Sequence, residues 1–224
     1  MNNIRSFYEP FLPLKGRRVL VTAGPTREAI DPVRFISNRS SGKMGYAMAE
    51  CARNMGATVI LISGPVSLHD IPEIKLVIVE SATEMRRAVS RNCIKADYIF
   101  MAAAVADYMP ANTSKIKMKH SNDTLSLNLI PSPDILKSIQ NKTSAVITAF
   151  ALETHNGEKE AKRKMKQKDV DFIVLNYANE EGAGFESSTN RITIFSKKGT
   201  KKELMKDRKD RIAEKIIKYL LNNS

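Results

Sequence analysis

A length of 224 residues and a hydrophobic fraction of 42% are sufficient for one globular domain with a substantial core. Two cysteines without CxxC spacing, no apolar run of membrane-spanning length and no signal-peptide pattern argue against a disulfide scaffold or a membrane protein and predict a cytoplasmic one. A net charge of +12 leaves two interpretations open. One is a basic face for nucleic acid, and the other is a site for small polyanions beside the solvated lysine-rich segments Lys159–Lys168 and Lys197–Lys209.

Apolar segments alternate with helical ones along the chain, which predicts an α/β fold with a doubly wound, mostly parallel sheet. The predicted strands are Arg18–Thr22, Thr58–Ile62, Leu76–Val79, Tyr98–Ala102, Ala145–Ala149 and Phe172–Leu175. The predicted helices are Gly42–Met55, Ala82–Ile94, Pro133–Gln140, Glu158–Lys168 and Asp207–Leu221, the last after a hairpin of Arg191–Phe195 and Lys202–Leu204. Ser81 with Glu84 matches a capping box, and Ser132 before Pro133 matches a capped helix start.

One segment interrupts this alternation of strands and helices. Lys115–Lys119 and Thr124–Leu129 each alternate apolar and polar residues around Ser121-Asn122-Asp123, which predicts a hairpin. It falls between a strand of the sheet and the next helix. We therefore expect an inserted β-hairpin flap over residues 110–131, placed to cover a site or to contact a second subunit.

A long polar loop between the first strand and the first helix is the most informative part of the chain. It runs from Gly24 to Gly45, and its end carries the small residues Ser40, Ser41 and Gly42. The free N–H groups and the positive dipole end of a helix start bind anions, and small residues let a phosphate approach the backbone. The loop therefore predicts a phosphate- or nucleotide-binding protein.

Two common phosphate-binding motifs fit this loop poorly. A P-loop needs a glycine where Ser37 stands and a Ser or Thr where Met44 stands. A dinucleotide-binding motif needs an acidic residue at the end of the second strand, and that strand ends in Ser63-Gly64. A nicotinamide-dependent oxidoreductase is thus disfavoured but stays open as an alternative.

Taken as whole strings, several segments are more specific than these generic motifs. They are GPTREAIDPVRFISNRSSGKMG at 24–45, SGPVSL at 63–68, AAAVADY at 102–108, KIK at 115–117, PDI at 133–135, FALET at 150–154 and DFIVLN at 171–176. In this order they closely resemble the phosphopantothenoylcysteine synthetase (phosphopantothenate–cysteine ligase) family of coenzyme A biosynthesis. The resemblance extends from about Gly16 to the end of the chain.

The resemblance implies a Rossmann-like fold and a single ligase domain over residues 1–224, of the stand-alone bacterial type. In many bacteria this enzyme is fused behind a flavin-dependent decarboxylase, which would here be a separate partner. The implied substrates are 4'-phosphopantothenate, L-cysteine and a nucleoside triphosphate, with Mg²⁺. CTP is typical of bacterial members and ATP of eukaryotic ones, so CTP is expected here. The resemblance also implies a homodimer.

The resemblance assigns roles to residues of the long loop and the flap. Asn38 matches an asparagine that contacts the acyl-nucleotide intermediate, with a helix cap as the alternative. Substrate phosphate is expected at Ser40, Ser41, Gly42, Gly45 and Arg34. Arg34 would reach a neighbouring subunit or form a surface ion pair, and Lys115 would act on the triphosphate or remain a solvated strand lysine.

The nucleotide-binding residues implied by the resemblance follow two strands and one helix. They are Met101, Ala102, Ala103, Asp107, Lys115, Pro133, Asp134, Ile135, Leu136, Phe150, Lys164 and Lys168. Alternative roles stay open for Asp107 as a turn residue, Phe150 as a core residue and the two lysines as a solvated helix face. Met101 and Met118 depart from residues common in the family.

Other chemistries find little support in the sequence. His69, His120 and His155 are dispersed without metal-ligand spacing, and no catalytic triad is recognisable, so no protein-held metal is predicted. Mg²⁺ would arrive with the nucleotide. A basic nucleic-acid-binding module is the third hypothesis, although no helix-turn-helix or RNA-binding motif appears.

Overall fold

A central sheet of eight strands organises the chain, and a computed structural model describes residues 12–120, 124–153, 156–177 and 189–224. The strands of this sheet are β1 (Arg18–Ala23), β4 (Thr58–Ser63), β5 (Lys75–Ile78), β6 (Tyr98–Met101), β9 (Val146–Glu153), β10 (Phe172–Tyr177), β11 (Thr189–Ser196) and β12 (Lys201–Arg208). Two short pairs lie outside it: β2 (Arg27–Ala29) with β3 (Phe35–Ser37), and β7 (Tyr108–Pro110) with β8 (Leu129–Pro131).

The sheet order is β12-β11-β10-β9-β6-β1-β4-β5. The six strands from β5 to β10 are parallel and follow the 3-2-1-4-5-6 order of Rossmann folds. β11 and β12 extend the sheet in antiparallel fashion. The predicted Rossmann-like α/β fold with a mostly parallel sheet is therefore confirmed.

Helices cover both faces of the sheet, because its central strands are apolar on both sides. The helices are α1 (Lys43–Asn54), α2 (Ala82–Asn92), α3 (Gly157–Lys168) and α4 (Lys209–Leu221). Val19 and Val21 of β1 belong to the core cluster that contains α1 and α4, whereas Leu20 belongs to the cluster that contains α2 and α3. Ser81 caps α2 as predicted, since its Oγ accepts from the backbone N–H of Glu84 at 3.2 Å.

The predicted strands of the flap are misplaced. No strand covers 115–119, residues 121–123 lie outside the described part, and pairing occurs instead between β7 and β8. Ile116 is 77% exposed and Leu125 is 59% exposed, so these two side chains have no layer to pack against among the described residues. Isolated two-stranded hairpins are marginally stable without such packing. The β2–β3 pair was not predicted and lies within the long polar loop.

The predicted helix Pro133–Gln140 is also wrong, because the structure has consecutive turns in its place. Ile139 N–H donates to the Leu136 carbonyl at 3.1 Å, the spacing of a tight turn rather than an α-helix. Asp134 caps the first turn instead of Ser132, since its Oδ1 accepts from the backbone N–H of Lys137 at 3.1 Å. Within the described residues, no helix is long and apolar enough to cross a bilayer.

Candidate active site

A cavity of about 760 Å³ lies at the carboxyl edge of the parallel strands. It opens where the strand order reverses, between β1 and β6, because the chain leaves these two neighbours in opposite directions. The start of α1, the loop 102–107 after β6, the turn at 132–136 and the ends of β9 and β10 form its walls. This is the position at which open α/β sheets bind their ligands.

Backbone hydrogen bonds join the loops that follow β1 and β6. Ala104 N–H donates to the Gly24 carbonyl at 2.8 Å, and Thr26 N–H donates to the Ala104 carbonyl at 3.3 Å. The Thr26 hydroxyl accepts from the backbone N–H of Ala106 at 3.0 Å. The two loops therefore form one wall, in which the position of one determines the position of the other.

Asn38 lies in this wall and lines the cavity. Its amide nitrogen donates to the carbonyls of Ala104 and Val105, both at 3.1 Å. A carboxamide has two N–H donors, so these bonds occupy both and leave the Oδ1 acceptor for a ligand. The alternative role as a helix cap is wrong, because the N-cap of α1 is Gly42 and not Asn38.

The first turn of α1 contributes its backbone to the cavity. Ser40, Ser41 and Gly42 line it, and Gly42 has a φ of 75°, a conformation that favours glycine. Gly45 lies outside the lining. A Cβ at Gly45 would approach the Cβ of Ala23 to 2.5 Å, so its place in the structure is the close contact between α1 and β1.

Most residues predicted to bind nucleotide are brought together here. The lining includes Met101, Ala102, Ala103, Asp107, Pro133, Asp134, Ile135, Leu136, Phe150, Lys164 and Lys168. Phe150 lines the cavity and also packs against the core cluster of α1 and α4, so its position is compatible with either predicted role. Their function in binding stays a prediction.

The two cavity lysines of α3 already pair with carboxylates. Lys164 Nζ lies 2.6 Å from an oxygen of Glu153, and Lys168 Nζ lies 2.6 Å from one of Asp134. Burial favours the neutral form of Asp134, but the Lys168 ion pair and the Lys137 backbone N–H outweigh it and lower the pKa of the carboxyl. An anionic ligand near these lysines therefore competes with existing partners.

Arg34 and Lys115 lie outside the cavity lining. Arg34 donates to the buried carboxylate of Asp31 through Nε at 3.0 Å and a terminal nitrogen at 2.5 Å. That nitrogen also donates to the Met118 carbonyl at 2.9 Å, while Asp31 accepts from the Met118 N–H at 3.1 Å. Lys115 is exposed. The ion pair of Arg34 and Asp31 thus binds both the carbonyl and the N–H of Met118, which lies three residues after Lys115.

Asp31→Asn is expected to release this segment. The substitution removes an acceptor and turns an N–H toward donors, so hydrogen exchange at the Met118 amide should quicken about tenfold or more. Arg34 holds the pKa of Asp31 far below its usual range despite burial. The folded protein therefore has Asp31 fully ionised above the unfolded-state pKa of about 4, and the charge is lost only as pH falls through the lower folded-state pKa. The protection of the Met118 amide from exchange should accordingly be constant near neutrality. The exposed control Asp70→Asn should leave the exchange rate of the Met118 amide unchanged. An unchanged rate in Asp31→Asn would contradict the role of Asp31.

The structure adds five polar residues that were not predicted to line the site: Lys43, Ser132, Asn176, Asn190 and Lys209. Asn176 ends the segment DFIVLN, whose resemblance to the family had implied no binding role for it. Lys209 was assigned to a solvated lysine-rich segment, and this interpretation is wrong at that position because the residue is 7% exposed. The sequence feature that could have indicated the burial of Lys209 is its position at the start of an amphipathic helix.

Comparison with known proteins agrees with this fold. The chain is 47% identical over 199 residues, 88% of its length, to the Bacillus subtilis protein named Coenzyme A biosynthesis bifunctional protein CoaBC, of which it spans 49%. The crystal structure of the C-terminal domain of a protein of that name matches with a TM-score of 0.81 and 39% identity, covering 94% of this chain and 97% of that one.

A structure of a Cab2 mutant complexed with phosphopantothenate-cysteine matches with a TM-score of 0.71 over 92% of this chain and 85% of that one; at 18% identity this shows the fold alone. The profile of one family covers nearly the whole sequence, residues 14–223. The chain therefore belongs to the family described as the DNA/pantothenate metabolism flavoprotein C-terminal domain.

Proposed function

We propose that this protein is a phosphopantothenate–cysteine ligase of coenzyme A biosynthesis. The main support is the cavity at the sheet reversal, which gathers a helix start, the amide of Asn38 and the loop after β6. The relative of 47% identity is named for coenzyme A biosynthesis, although the chain spans 49% of its length.

The proposed reaction has two steps. A carboxylate oxygen of 4'-phosphopantothenate attacks the α-phosphorus of a nucleoside triphosphate, and pyrophosphate leaves. The amine of cysteine then attacks the acyl carbon of the bound acyl-nucleotide, loses a proton, and the nucleoside monophosphate leaves as the amide forms. A carboxylate needs this activation because its oxygen is otherwise a poor leaving group.

The residues of the cavity suit a reaction that depends on positioning and charge. The α1 start offers backbone N–H groups and a positive dipole end to a phosphate, and Lys164 and Lys168 add positive charge on another wall. Asn38 is held by two hydrogen bonds and presents a fixed acceptor. Such preorganised polar groups stabilise charge that moves during a reaction without reorganising at that moment.

Mg²⁺ fits the donor set of the cavity as an ion shared with substrate phosphates. Within the described residues, no three His, Cys, Asp or Glu side chains form a metal-binding group. Asp107 and Asp134 are the carboxylates among the described lining residues. Mg²⁺ commonly binds one or two carboxylates together with phosphates. Because Asp134 already pairs with Lys168, Asp107 is the proposed protein ligand. When bound, the ion would neutralise phosphate charge.

The decisive experiment measures pyrophosphate release with Mg²⁺, 4'-phosphopantothenate and either CTP or ATP, with and without cysteine. We expect release that requires phosphopantothenate, preference for CTP, and amide product only with cysteine. Absence of release with both nucleotides from a folded sample would refute the ligase. Reduction of a nicotinamide cofactor would then favour the oxidoreductase, although β4 ends in Ser63-Gly64 without the acidic residue that binds the ribose of NAD.

A homodimer is the second part of the proposal, and an exposed apolar patch supports it. Large apolar side chains are exposed on the two short strand pairs and the segment between β7 and β8; they are Val33, Phe35, Tyr108, Ile116, Leu125, Leu127, Leu129 and Ile130. β2 packs beside β7, so the two pairs form one continuous surface. Extended apolar patches on soluble domains commonly mark interaction surfaces.

Val33→Glu is expected to dissociate this dimer. Val33 is 58% exposed, so the change leaves the folded subunit intact but places a charge within the proposed interface. The dissociation constant from sedimentation should rise about tenfold or more. Met205→Glu is the matched control, because Met205 is 74% exposed on β12 and lies outside the patch. A wild-type protein that sediments as a monomer at all concentrations would refute the proposal.

A further inference from the structure

The start of α2 is capped by side chains from two different parts of the chain. Ser81 caps it locally, since its Oγ accepts from the backbone N–H of Glu84 at 3.2 Å. The second cap comes from 54 residues away, because Oε1 of Glu28 on β2 accepts from the backbone N–H of Ala82 at 2.9 Å. Both bonds satisfy N–H groups that have no partner within the helix. The second one also ties β2 to α2.

Glu28 is buried to a degree that is rare for a carboxylate. It is 4% exposed, and its hydrogen bond from Ala82 is buried as well. The positive end of the α2 dipole and this N–H group offset the cost of burying the side chain. The backbone N–H of Arg27 donates to the carbonyl of Glu80 at 2.8 Å, which makes a second link between β2 and the start of α2. The two links therefore fix the position of β2.

The strand pair that Glu28 anchors leads directly to Asn38. Glu28 lies opposite Ile36 in the β2–β3 pair. β3 ends at Ser37, immediately before Asn38. The Ser37 hydroxyl donates to the carbonyl of Thr26 at 2.8 Å, which joins the end of β3 to the residue before β2. A displacement of β2 would therefore move Asn38 relative to the loop after β6, to which its side chain donates.

We infer that Glu28 is a positioning residue for the proposed ligase reaction, because its carboxylate fixes the β2–β3 pair to α2 and thereby fixes the amide of Asn38 at the cavity. Glu28 itself lies outside the cavity lining, so it acts through Asn38 and not on a substrate. The inference rests on the proposed function for its kinetic effect. A misplacement of about 1 Å that arises far from the reacting atoms can lower a rate about 100-fold.

Glu28→Met is the main test, because methionine fills a similar space but offers the Ala82 N–H no carboxylate oxygen. Turnover should fall about tenfold or more, while the Michaelis constants stay within about twofold of wild type. Glu28→Gln retains a carbonyl oxygen in the same place, so its turnover should be within about threefold of wild type. Each rate is measured as cysteine-dependent product per folded molecule.

Ser81→Ala is the matched control, because it removes the other cap of α2 and leaves both links to β2 in place. It should lower the midpoint of thermal unfolding by a few degrees, as Glu28→Met should, but leave turnover unchanged. Equal losses of turnover in the two variants would assign the effect to the stability of α2 and overturn the positioning role. Turnover of folded Glu28→Met within twofold of wild type would overturn it too.

A shorter acidic side chain keeps the test decisive if Glu28→Met does not fold. In Glu28→Asp the carboxylate is one methylene closer to the backbone, so it should hold the Ala82 N–H less well. We expect lower turnover with unchanged Michaelis constants. Turnover equal to that of wild type would count against the inference.

A measurement without substrates separates this inference from the proposed function. Relaxation of the Asn38 side-chain amide in nuclear magnetic resonance should give an order parameter typical of a fixed group in wild type and Ser81→Ala, and one below about 0.6 in Glu28→Met. If wild-type protein has no ligase turnover with either nucleotide, the proposed function fails, but a loosened amide in Glu28→Met alone would retain the anchoring role. Equal order parameters in all three proteins would overturn it.

Discussion

Asn38→Ala is expected to lower ligase turnover about 100-fold or more, while the midpoint of thermal unfolding changes by only a few degrees. The amide of Asn38 is fixed by the Ala104 and Val105 carbonyls and presents its oxygen to the cavity. Alanine removes that fixed acceptor from the cavity in which the proposed reaction moves charge between carboxylate, phosphate and amine. The effect should appear in turnover more than in the Michaelis constants, because a positioned group acts mainly in the transition state.

Two further variants separate this role from a structural one. Asn38→Asp retains the shape but turns a carboxylate toward two carbonyl oxygens, so it should lose activity as well as some stability. Asn54→Ala, at the exposed end of α1, should change neither property. Turnover of Asn38→Ala within threefold of wild type, measured as cysteine-dependent product, would show that this amide has no part in the chemistry.

Gly64→Ala is expected to lower the free energy of unfolding by about 3 kcal/mol or more, or to prevent accumulation of folded protein. A Cβ at this position would lie 1.7 Å from the carbonyl oxygen of Pro25. Pro25 pairs with Ala104 in an isolated bridge, so its backbone has little freedom to withdraw. The clash would therefore also displace the loop that carries the wall of the cavity.

Denaturant unfolding with Gly16→Ala as the control isolates the clash. Gly16 has a φ of 78° but nothing within 4 Å of the position of a Cβ, so its substitution carries only backbone strain, about 1 kcal/mol. Equal losses for the two variants would mean that the approach of Pro25 to Gly64 is unimportant. A larger loss at Gly64, accompanied by weaker substrate binding, would link loop packing to the site.

The sequence predicted the sheet well because local and global signals agree there. β1 is an apolar run between Arg18 and Gly24, and β5 and β9 are each followed directly by a segment with helical periodicity. The flap failed for the opposite reason. Its alternating pattern is genuine at Ile116 and Leu125, but no layer in the part of the chain that the structure describes covers these side chains, so pattern alone did not produce paired strands.

Site residues could be predicted where the information lies in a short segment of the sequence, and not where it depends on contacts between distant segments. Asn38, Ser40 and the residues after β6 stand in short, distinctive segments, and the structure brings them together. Lys209 is far along the chain in a lysine-rich segment, where charge pattern predicts solvation. Its burial results from the packing of α4 on α1, which no local window contains. The hydrogen bond from the Met118 N–H to the Asp31 carboxylate could not be predicted for the same reason, because the two residues are far apart in the sequence.

The two edges of the sheet determine how copies of this chain can associate. β5 is a short edge strand of four residues that begins with a lysine, and β12 carries Lys201, Lys202, Glu203 and Lys206 along the opposite edge. Charged and short edges discourage strand addition, so the sheet does not template fibre growth from either side. A dimer of the proposed kind, which meets through the patch on the two short strand pairs, would instead close on itself. Concentrated solutions should therefore form finite assemblies rather than open-ended filaments.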